Sequence, residues 1–113
     1  MANNFKNAVK TNIAIDSGTF TTIYASPAAK VSIILECDIA NTTSSAIDAS
    51  VTITDNSTST TSYIVKDAPI PAGGALKVIS GQKIVLEGLD NIKAAASAGS
   101  SADCIVSILE DVG

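Results

Sequence analysis

The segment KVSIILECDIA, residues 30–40, decides the fold class because its side chains alternate with the period of a β-strand. Apolar side chains occupy every second position and predict one buried face, formed by Val31, Ile33, Leu35, Cys37 and Ile39. Polar residues such as Ser32, Glu36 and Asp38 fall on the other face, and Ile34 alone breaks the pattern. The segment therefore predicts a strand with one face in a core and the other in water.

The same pattern continues outward from this segment. Residues 47–54 alternate apolar side chains with Asp, Ser and Thr, and predict a second strand with one wet face. Further short segments are rich in β-branched residues and bounded by turn residues: NAVKTNIAI (7–15), FTTIYAS (20–26), TSYIVK (61–66), ALKVIS (75–80), KIVLEG (83–88), NIKAAAS (91–97) and DCIVSILED (103–111). About eight to nine short strands without a helical stripe predict an all-β fold, an antiparallel β-sandwich of Greek-key or jelly-roll type.

The length and composition of the chain fit one folded domain. It has 113 residues, of which 46% are hydrophobic and 16% charged, whereas disordered chains have low hydrophobicity and high charge. We expect residues 1–113 to form a single β-sandwich domain, with an N-terminal arm over about residues 1–10 that can extend from it. No run of about 18 apolar residues predicts a membrane span, and the first residues lack the apolar core of a secretory signal, which predicts folding in a cytoplasm.

The amino-acid composition argues against several classes of function. The chain contains no His, Arg or Trp. Without His it lacks the commonest general base and metal ligand. Without Arg it lacks the planar guanidinium group that binds phosphate through two hydrogen bonds. Neither a G-x-S-x-G motif nor a phosphate-binding glycine loop is present. A net charge of -4 and four aromatic residues oppose nucleic-acid binding. We therefore expect a protein that is not an enzyme and has no cofactor.

Two sets of residues are candidates for metal or redox sites. Five aspartates lie at strand ends and lack the spacing of a calcium loop, so we expect solvated surface carboxylates and no metal site: Asp48, Asp55, Asp67, Asp90 and Asp103. Cys37 and Cys104 are interpreted as free, buried side chains, with a disulfide as the alternative. Lys66 and Asp67 are adjacent in a strand and point to opposite faces, so they do not form an acid/base pair.

The segment SYIVKDAPIPAGGALKVISGQKIVLEG, residues 62–88, resembles a ligand loop but is interpreted as a corner between strands. Pro69 and Pro71 remove two backbone donors, which suits a strand end or an exposed connection. The Gly73-Gly74 pair allows a sharp turn, and short strands are expected on either side of Gly81. We expect no bound ligand at this corner, and the exposed prolines are candidates for contact with a neighbouring subunit.

The N-terminal segment supplies the other candidate contact residues. Phe5 and Val9 are apolar side chains of an amphipathic end, and they gain burial only by docking onto something. A frayed first strand is the alternative interpretation. The candidate partner-contact residues are thus Phe5, Val9, Pro69 and Pro71.

Four segments follow one another in a recognisable order: NAVKTNI (7–13), TTIYASPAAKVSIILECDIANTTSSAIDASVTITD (21–55), YIVKDAPIPAGGALKVISGQKIVLEGLDNIKAAAS (63–97) and DCIVSILE (103–110). The most specific parts are IYASPA (23–28), KDAPIPAGGAL (66–76) and KIVLEGLDNIKA (83–94). Over nearly the whole chain this order resembles a group of small virion proteins of tailed bacteriophages, particularly phages of aquatic bacteria. The matching parts are features of a fold, and they carry over no catalytic residue.

The resemblance implies a compact β-sandwich that is present in many copies in a phage particle and is assembled in the host bacterial cytoplasm. It implies a capsid decoration or cement protein that binds and stabilises the head, or alternatively a protein of the neck or tail. The implied partners are the major capsid protein or neck and tail proteins, and further copies of the chain in a homo-oligomer. A carbohydrate- or surface-binding β-sandwich is a further alternative, for which only Tyr24 and Tyr63 offer aromatic platforms.

Overall fold

The computed structural model describes residues 4–13, 20–98 and 101–110, and all regular structure within these ranges is β-strand. Eight strands follow in chain order: β1 (Asn4–Lys10), β2 (Thr21–Ala25), β3 (Ser32–Asn41), β4 (Ile47–Asp55), β5 (Thr60–Ile70), β6 (Ala75–Leu86), β7 (Asn91–Ala96) and β8 (Ala102–Glu110). The same ranges contain no helix that could cross a bilayer.

The strands form two antiparallel four-stranded sheets. Sheet A has the order β1-β8-β3-β6 and sheet B has the order β2-β7-β4-β5. The pairs β1–β8, β2–β7, β3–β6 and β4–β5 are those of one long hairpin rolled up on itself, and the β3–β8 and β4–β7 pairs complete the two sheets. This arrangement is an eight-stranded jelly roll. The predicted all-β sandwich is confirmed, and of the two topologies left open by the sequence it has the jelly-roll order.

The core consists of alternate side chains from the inner faces of both sheets. Twelve large side chains are less than 2% exposed: Ile13, Ile34, Ile39, Ile70, Ile79, Leu86, Ile92, Ile108, Val51, Val106, Cys37 and Cys104. Full burial of one such aliphatic side chain stabilises a fold by about 1.5–3 kcal/mol. Most of this core is aliphatic and β-branched, which fits the pleated surface of a sheet.

The buried face predicted for β4 is confirmed, but the middle of the face predicted to be solvated is buried as well. Ala49 and Val51 face the core and are at most 1% exposed. Ser50 and Thr52 on the opposite face are also buried. The Ser50 hydroxyl accepts the Asp67 backbone N–H at 3.0 Å, so β5 closes over this part of the central strand. Polar side chains on an outer face are therefore not always solvated.

The first half of β3 faces the opposite way from the sequence prediction. The pairing of β3 with β8 shifts between Ile34 and Glu36, so that Leu35 is one extra residue on β3. Such a β-bulge exchanges the two faces of a strand. As a result Ser32 and Ile34 are buried with 0% exposure, whereas Ile33 lies half-buried on the outer face.

The bulge explains which parts of the predicted buried face were wrong. Cys37 and Ile39, after the bulge, face the core as predicted. Val31 is 38% exposed and precedes the strand, and Leu35 is only partly buried. Strict alternation assumes an uninterrupted ladder, and nothing in the composition of this segment marks the extra residue. The apparent exception in the pattern, Ile34, is a core residue.

A second correction concerns Gly81. The two short strands predicted on either side of it are one strand, β6, whose pairing with β3 is irregular between Ser80 and Ile84. This irregularity lies at the same level as the bulge in β3, since Ile34 pairs with Ile84 and Glu36 with Ser80. The sequence signal at Gly81 therefore marked a local disruption of the ladder and not a turn.

The four edge strands carry features that discourage pairing with another strand. Residues 4–10 of the predicted arm form the edge strand β1, in which Lys6 and Lys10 lie at register positions of the inner face, opposite Ile108 and Cys104. Strand β2 has only five residues, β5 contains Pro69, and β6 contains Lys77 and Lys83. Another molecule can therefore contact the faces of the sheets more easily than it can add a strand to their edges. Residues 1–3 of the arm lie outside the described residues.

The predicted corner is a turn that a buried asparagine holds in place. The Gly74 N–H donates to the Pro71 carbonyl at 2.9 Å, and Gly73 has a φ of 69°. The Asn41 side-chain amide donates to the carbonyls of Ile70 at 3.1 Å and Pro71 at 3.2 Å. Because Asn41 is only 3% exposed, this anchor fixes the path from β5 in sheet B to β6 in sheet A.

Candidate functional site

The outer face of sheet A carries a row of apolar side chains that crosses all four strands. Phe5 of β1 lies opposite Leu109 of β8, Leu109 lies opposite Ile33 of β3, and Ile33 lies opposite Val85 of β6. We call these four residues the apolar band. The bulge at Leu35 creates the band, because it turns Ile33 away from the core. Three gaps between neighbouring strands give the band a width of about 14 Å.

The outer face of sheet A carries more than half of the exposed large apolar side chains among the described residues. Seven large apolar side chains are exposed among the described residues, and four of them lie on the outer face of sheet A: Phe5 at 76%, Val9 at 54%, Val85 at 56% and Ile105 at 47%. Val9 and Ile105 are directly opposite one another on β1 and β8 and form a second apolar pair. Isolated exposed apolar residues are ordinary, but a concentration on one face is typical of an interaction surface.

A groove of about 300 Å³ opens beside the band. Residues of β1, β3 and β8 line it: Phe5, Lys6, Asn7, Leu35, Ser107 and Ile108. The groove lies at the level of the bulge, where the ladder between β3 and β8 is interrupted. The outer face of sheet A is thus uneven and offers a recess that a protruding side chain of a partner can fill.

A small charged cluster flanks the apolar band on the same face. Lys77 Nζ lies 3.5 Å from a carboxylate oxygen of Glu36 and 3.8 Å from one of Asp38. Partial burial, and then the hydrogen bond and charge of Glu36, raise the pKa of Asp38, while Lys77 acts in the opposite direction. One cation therefore serves two carboxylates, and this part of the face has a negative excess.

The four predicted contact residues fall into two separate groups. Phe5 and Val9 share the outer face of β1, on the apolar side of sheet A. Pro69 is exposed on the edge strand β5 opposite Asp48, and Pro71 is exposed in the turn that follows. This turn leads into β6, and β6 and β1 are the opposite edges of sheet A. Phe5 and Val9 therefore do not form one surface with the prolines.

The outer face of sheet B is different in character. A shallow groove of about 180 Å³ lies on it, lined by Phe20, Thr52, Thr54, Thr61, Tyr63 and Lys93. The Phe20 and Tyr63 rings meet edge to face, with centroids 6.2 Å apart, and Lys66 Nζ lies 5.4 Å from the centre of the Tyr63 ring. Of the two tyrosines considered as aromatic platforms, only Tyr63 is on the surface.

The other tyrosine, Tyr24, belongs to a buried polar network between the sheets. Its hydroxyl donates to the Glu110 carboxylate and lies 3.0 Å from the Ser32 hydroxyl, which is 2.9 Å from that of Ser26. Burial, and then the hydrogen bond to Glu110, raise the pKa of Tyr24 to about 12. Lys6 Nζ is 3.5 Å from the same Glu110 carboxylate and connects β1 to the network. The network therefore joins β1, β2, β3 and β8.

Two of the five predicted surface aspartates are brought together, and for one of them the prediction is wrong, because Asp90 is buried with 6% exposure. Asp55 and Asp90 lie near Glu87, with one carboxylate oxygen of each within 4.8 Å of the others, and these residues could hold a divalent cation. The Asp90 oxygens accept the backbone N–H groups of Asn56 at 2.9 Å and Glu87 at 3.0 Å. A hydrogen bond from Ser57 lowers the pKa of Asp55. The hydrogen bonds of Asp90 connect the turn after β4 with the turn before β7.

The remaining aspartates do not join this cluster. Asp48 lies opposite Pro69, Asp67 has a φ of 50° where the pairing of β4 with β5 shifts, and Asp103 accepts the Asn12 N–H at 3.3 Å. The cysteines are both buried and free, with their sulfur atoms 3.8 Å apart, beyond the length of a disulfide bond. The Cys104 thiol and burial raise the pKa of Cys37.

Comparisons with known proteins find similarity to solved structures of a virus. No family model matches the chain, and no curated protein matches it. It is similar to a structure of infectious bursal disease virus Gt strain, with a TM-score of 0.43 and 10% identity over 96% of this chain and 32% of that chain. For the Gx strain the TM-score is 0.36 and the identity 9%, over 95% and 41%. The chain thus spans well under half of either one, and at these TM-scores neither likeness bears on its activity.

The sequence predicted neither the apolar band on sheet A nor the groove on sheet B as a surface. Phe5 was singled out, but its neighbours in the band were assigned to the core or to ordinary strands. The only available signal was Ile34, whose apparent mismatch marks the change of face at the bulge. The contact between Phe20 and Tyr63 spans the width of sheet B, from the start of β2 to β5, and no local pattern could have indicated it.

Proposed function

We propose that this chain is a non-enzymatic structural protein of a bacteriophage virion, a decoration protein that sits on the outside of the capsid and stabilises the head. The observation that carries the proposal is the apolar band, Phe5, Leu109, Ile33 and Val85, on a face with no covering element among the described residues. The resemblance of the chain to small phage virion proteins supports the same conclusion.

The size of the band favours a repeated partner over a stable dimer in solution. A stable protein interface takes about 800 Å² from each partner, and one row of four side chains with the Val9–Ile105 pair supplies only a part of this area. Weak contacts become sufficient when many copies bind one lattice, because neighbouring contacts then act together. The proposed occupant of the face is therefore a repeated apolar patch on the surface of the particle.

The charges on the same face indicate the chemistry of that partner. Glu36 and Asp38 share Lys77, and Asp103 adds a carboxylate on β8. A partner with lysine or arginine beside its apolar patch would be attracted, whereas an acidic rim would be repelled. The blocked sheet edges favour docking through the face and not by strand addition.

The test is lysine labelling on intact particles of the phage that encodes the chain. Lys77, on the outer face of sheet A with 66% of its side chain exposed, should lose its reactivity in the particle compared with the free protein. Lys66, on the exposed side of sheet B, should keep it. Absence of the chain from purified particles, or equal labelling of Lys77 in both states, would contradict the proposal.

A comparison of heads with complete particles locates the chain within the virion. Heads purified without tails should retain all copies of a decoration protein, as measured by mass spectrometry against the major capsid protein. Copies that leave with the tail would overturn the capsid assignment in favour of a neck or tail protein.

A further inference from the structure

The groove on sheet B has a regular construction from two cross-strand rows. Lys93 of β7, Thr52 of β4 and Tyr63 of β5 are directly opposite one another in the register. In the next row Thr54 lies between Asn91 and Thr61. Three strands and two rows define a patch of roughly 10 by 7 Å, which is the footprint of one sugar-sized ring.

The groove presents an aromatic wall next to hydroxyl groups. Tyr63 is 49% exposed, and Phe20 holds it in an edge-to-face contact although the two residues come from opposite edges of sheet B. The hydroxyls of Thr54 and Thr61 are 3.0 Å apart, so one donates to the other. The accepting hydroxyl keeps its own proton for a further acceptor, and both retain lone pairs.

Lys93 gives the groove a positive charge that no described carboxylate neutralises. It is half-buried, and no carboxylate of the described residues lies within ion-pair distance of it. None of the side chains that line the groove is acidic, although the protein as a whole has a net charge of -4. Negative charge lies beyond the second row, since Asp55 follows Thr54 and Asp90 precedes Asn91. An anionic group is therefore favoured at the Lys93 end and repelled from the other.

We propose that this groove binds a single carboxylate-bearing sugar ring. The carboxylate contacts Lys93 Nζ, the apolar face of the ring contacts Tyr63 and Phe20, and ring hydroxyls pair with Thr54 and Thr61. The aromatic rings suit the apolar C–H face of the sugar, the threonine hydroxyls suit its hydroxyls, and Lys93 suits its negative charge. The inference is independent of the virion proposal.

The groove holds about 180 Å³, less than the pockets that hold drug-sized ligands, so one ring fits and a monosaccharide should bind in the millimolar range. The experiment is a titration of the full-length, ¹⁵N-labelled protein followed by amide chemical shifts. The probes are glucuronate, glucose and acetate. Glucuronate should give saturable shifts at Lys93, Thr52 and Tyr63, with affinity at least about tenfold above that for glucose or acetate.

Matched variants separate the parts of the proposal. Lys93→Gln should lower the glucuronate affinity at least about tenfold and leave glucose binding unchanged. Tyr63→Ser should weaken both sugars, and Lys77→Gln on sheet A should change neither. Salt provides a test without any variant, because added NaCl should weaken the binding of glucuronate more than that of glucose.

Three results would overturn the inference. The first is the absence of saturable shifts at the groove with glucuronate. The second is acetate binding as tight as that of glucuronate, which would indicate a site for any anion. The third is a glucuronate affinity that neither Lys93→Gln nor salt reduces.

Discussion

The two outer faces of this jelly roll differ although the sheets have the same number of strands and the same antiparallel pairing. The outer face of sheet A carries the apolar band and a recess beside it, whereas that of sheet B carries threonines, a lysine and an edge-to-face aromatic pair. One extra residue, Leu35, causes much of the difference because it turns Ile33 outward. A local irregularity in one ladder can thus give a symmetrical fold two distinct surfaces.

The largest effect is expected from neighbouring isoleucines on opposite sides of the bulge-bearing strand. Ile34→Ala removes a fully buried side chain and should lower the free energy of unfolding by about 2–5 kcal/mol. Ile33→Ala removes a half-buried outer side chain and should lower it by less than about 1.5 kcal/mol. Urea unfolding of both variants measures the difference. Equal losses, or a larger loss for Ile33→Ala, would contradict the assigned faces.

This pair also indicates how far the sequence could predict the fold. The period-two pattern was enough for the β-sandwich and for the inner face of β4, where Ala49 and Val51 are buried as expected. It assigned Ile33 and Ile34 to the wrong faces because a bulge changes the face without changing composition. The exposed Phe5 was foreseen from its place in an amphipathic end, but its neighbours in the band depend on pairings between strands far apart in sequence.

An intermediate effect is expected from the two tyrosines, one between the sheets and one on an outer face. Tyr24→Phe leaves the buried Ser32 hydroxyl and the Glu110 carboxylate without one partner, and should cost about 1–3 kcal/mol of stability. Tyr63→Phe keeps the ring contact with Phe20 and should cost less than about 0.5 kcal/mol. Denaturant midpoints at pH 8 measure both. Similar midpoints for the two variants would show that the buried network contributes little.

The buried tyrosine, Tyr24, also makes the stability of the protein depend on alkaline pH. The pKa of Tyr24 is raised from 10.0 to about 12, so the folded state retains a proton that the unfolded state loses. The contribution of Tyr24 to stability is therefore complete below about pH 10 and is lost as the pH rises towards 12. Tyr24→Phe should reduce the loss of stability between pH 8 and pH 11, as followed by urea unfolding. An unchanged alkaline loss in Tyr24→Phe would exclude this assignment.

The smallest effect concerns the charged cluster beside the apolar band. Because the pKa of Asp38 is raised in the fold, ionised Asp38 is unfavourable at neutral pH, and this cost disappears as the pH falls and the carboxyl is protonated. Asp38→Asn should therefore stabilise the protein slightly at pH 7, by less than about 1 kcal/mol, with a difference that shrinks towards about pH 4. Urea unfolding at the two pH values measures it, with Asp103→Asn as the control. A stability gain that grows at low pH would reverse the assigned sign.

The most direct test of the central claim, that sheet A and not sheet B docks on the particle, is co-sedimentation of the purified protein with particles that lack it. Phe5→Ser and Val85→Ser alter opposite ends of the apolar band, and Tyr63→Ser alters the outer face of sheet B. Each band variant should bind at least about tenfold more weakly than the unmodified chain, and Tyr63→Ser should bind equally well. Unchanged binding of both band variants, or loss of binding only in Tyr63→Ser, would contradict the claim.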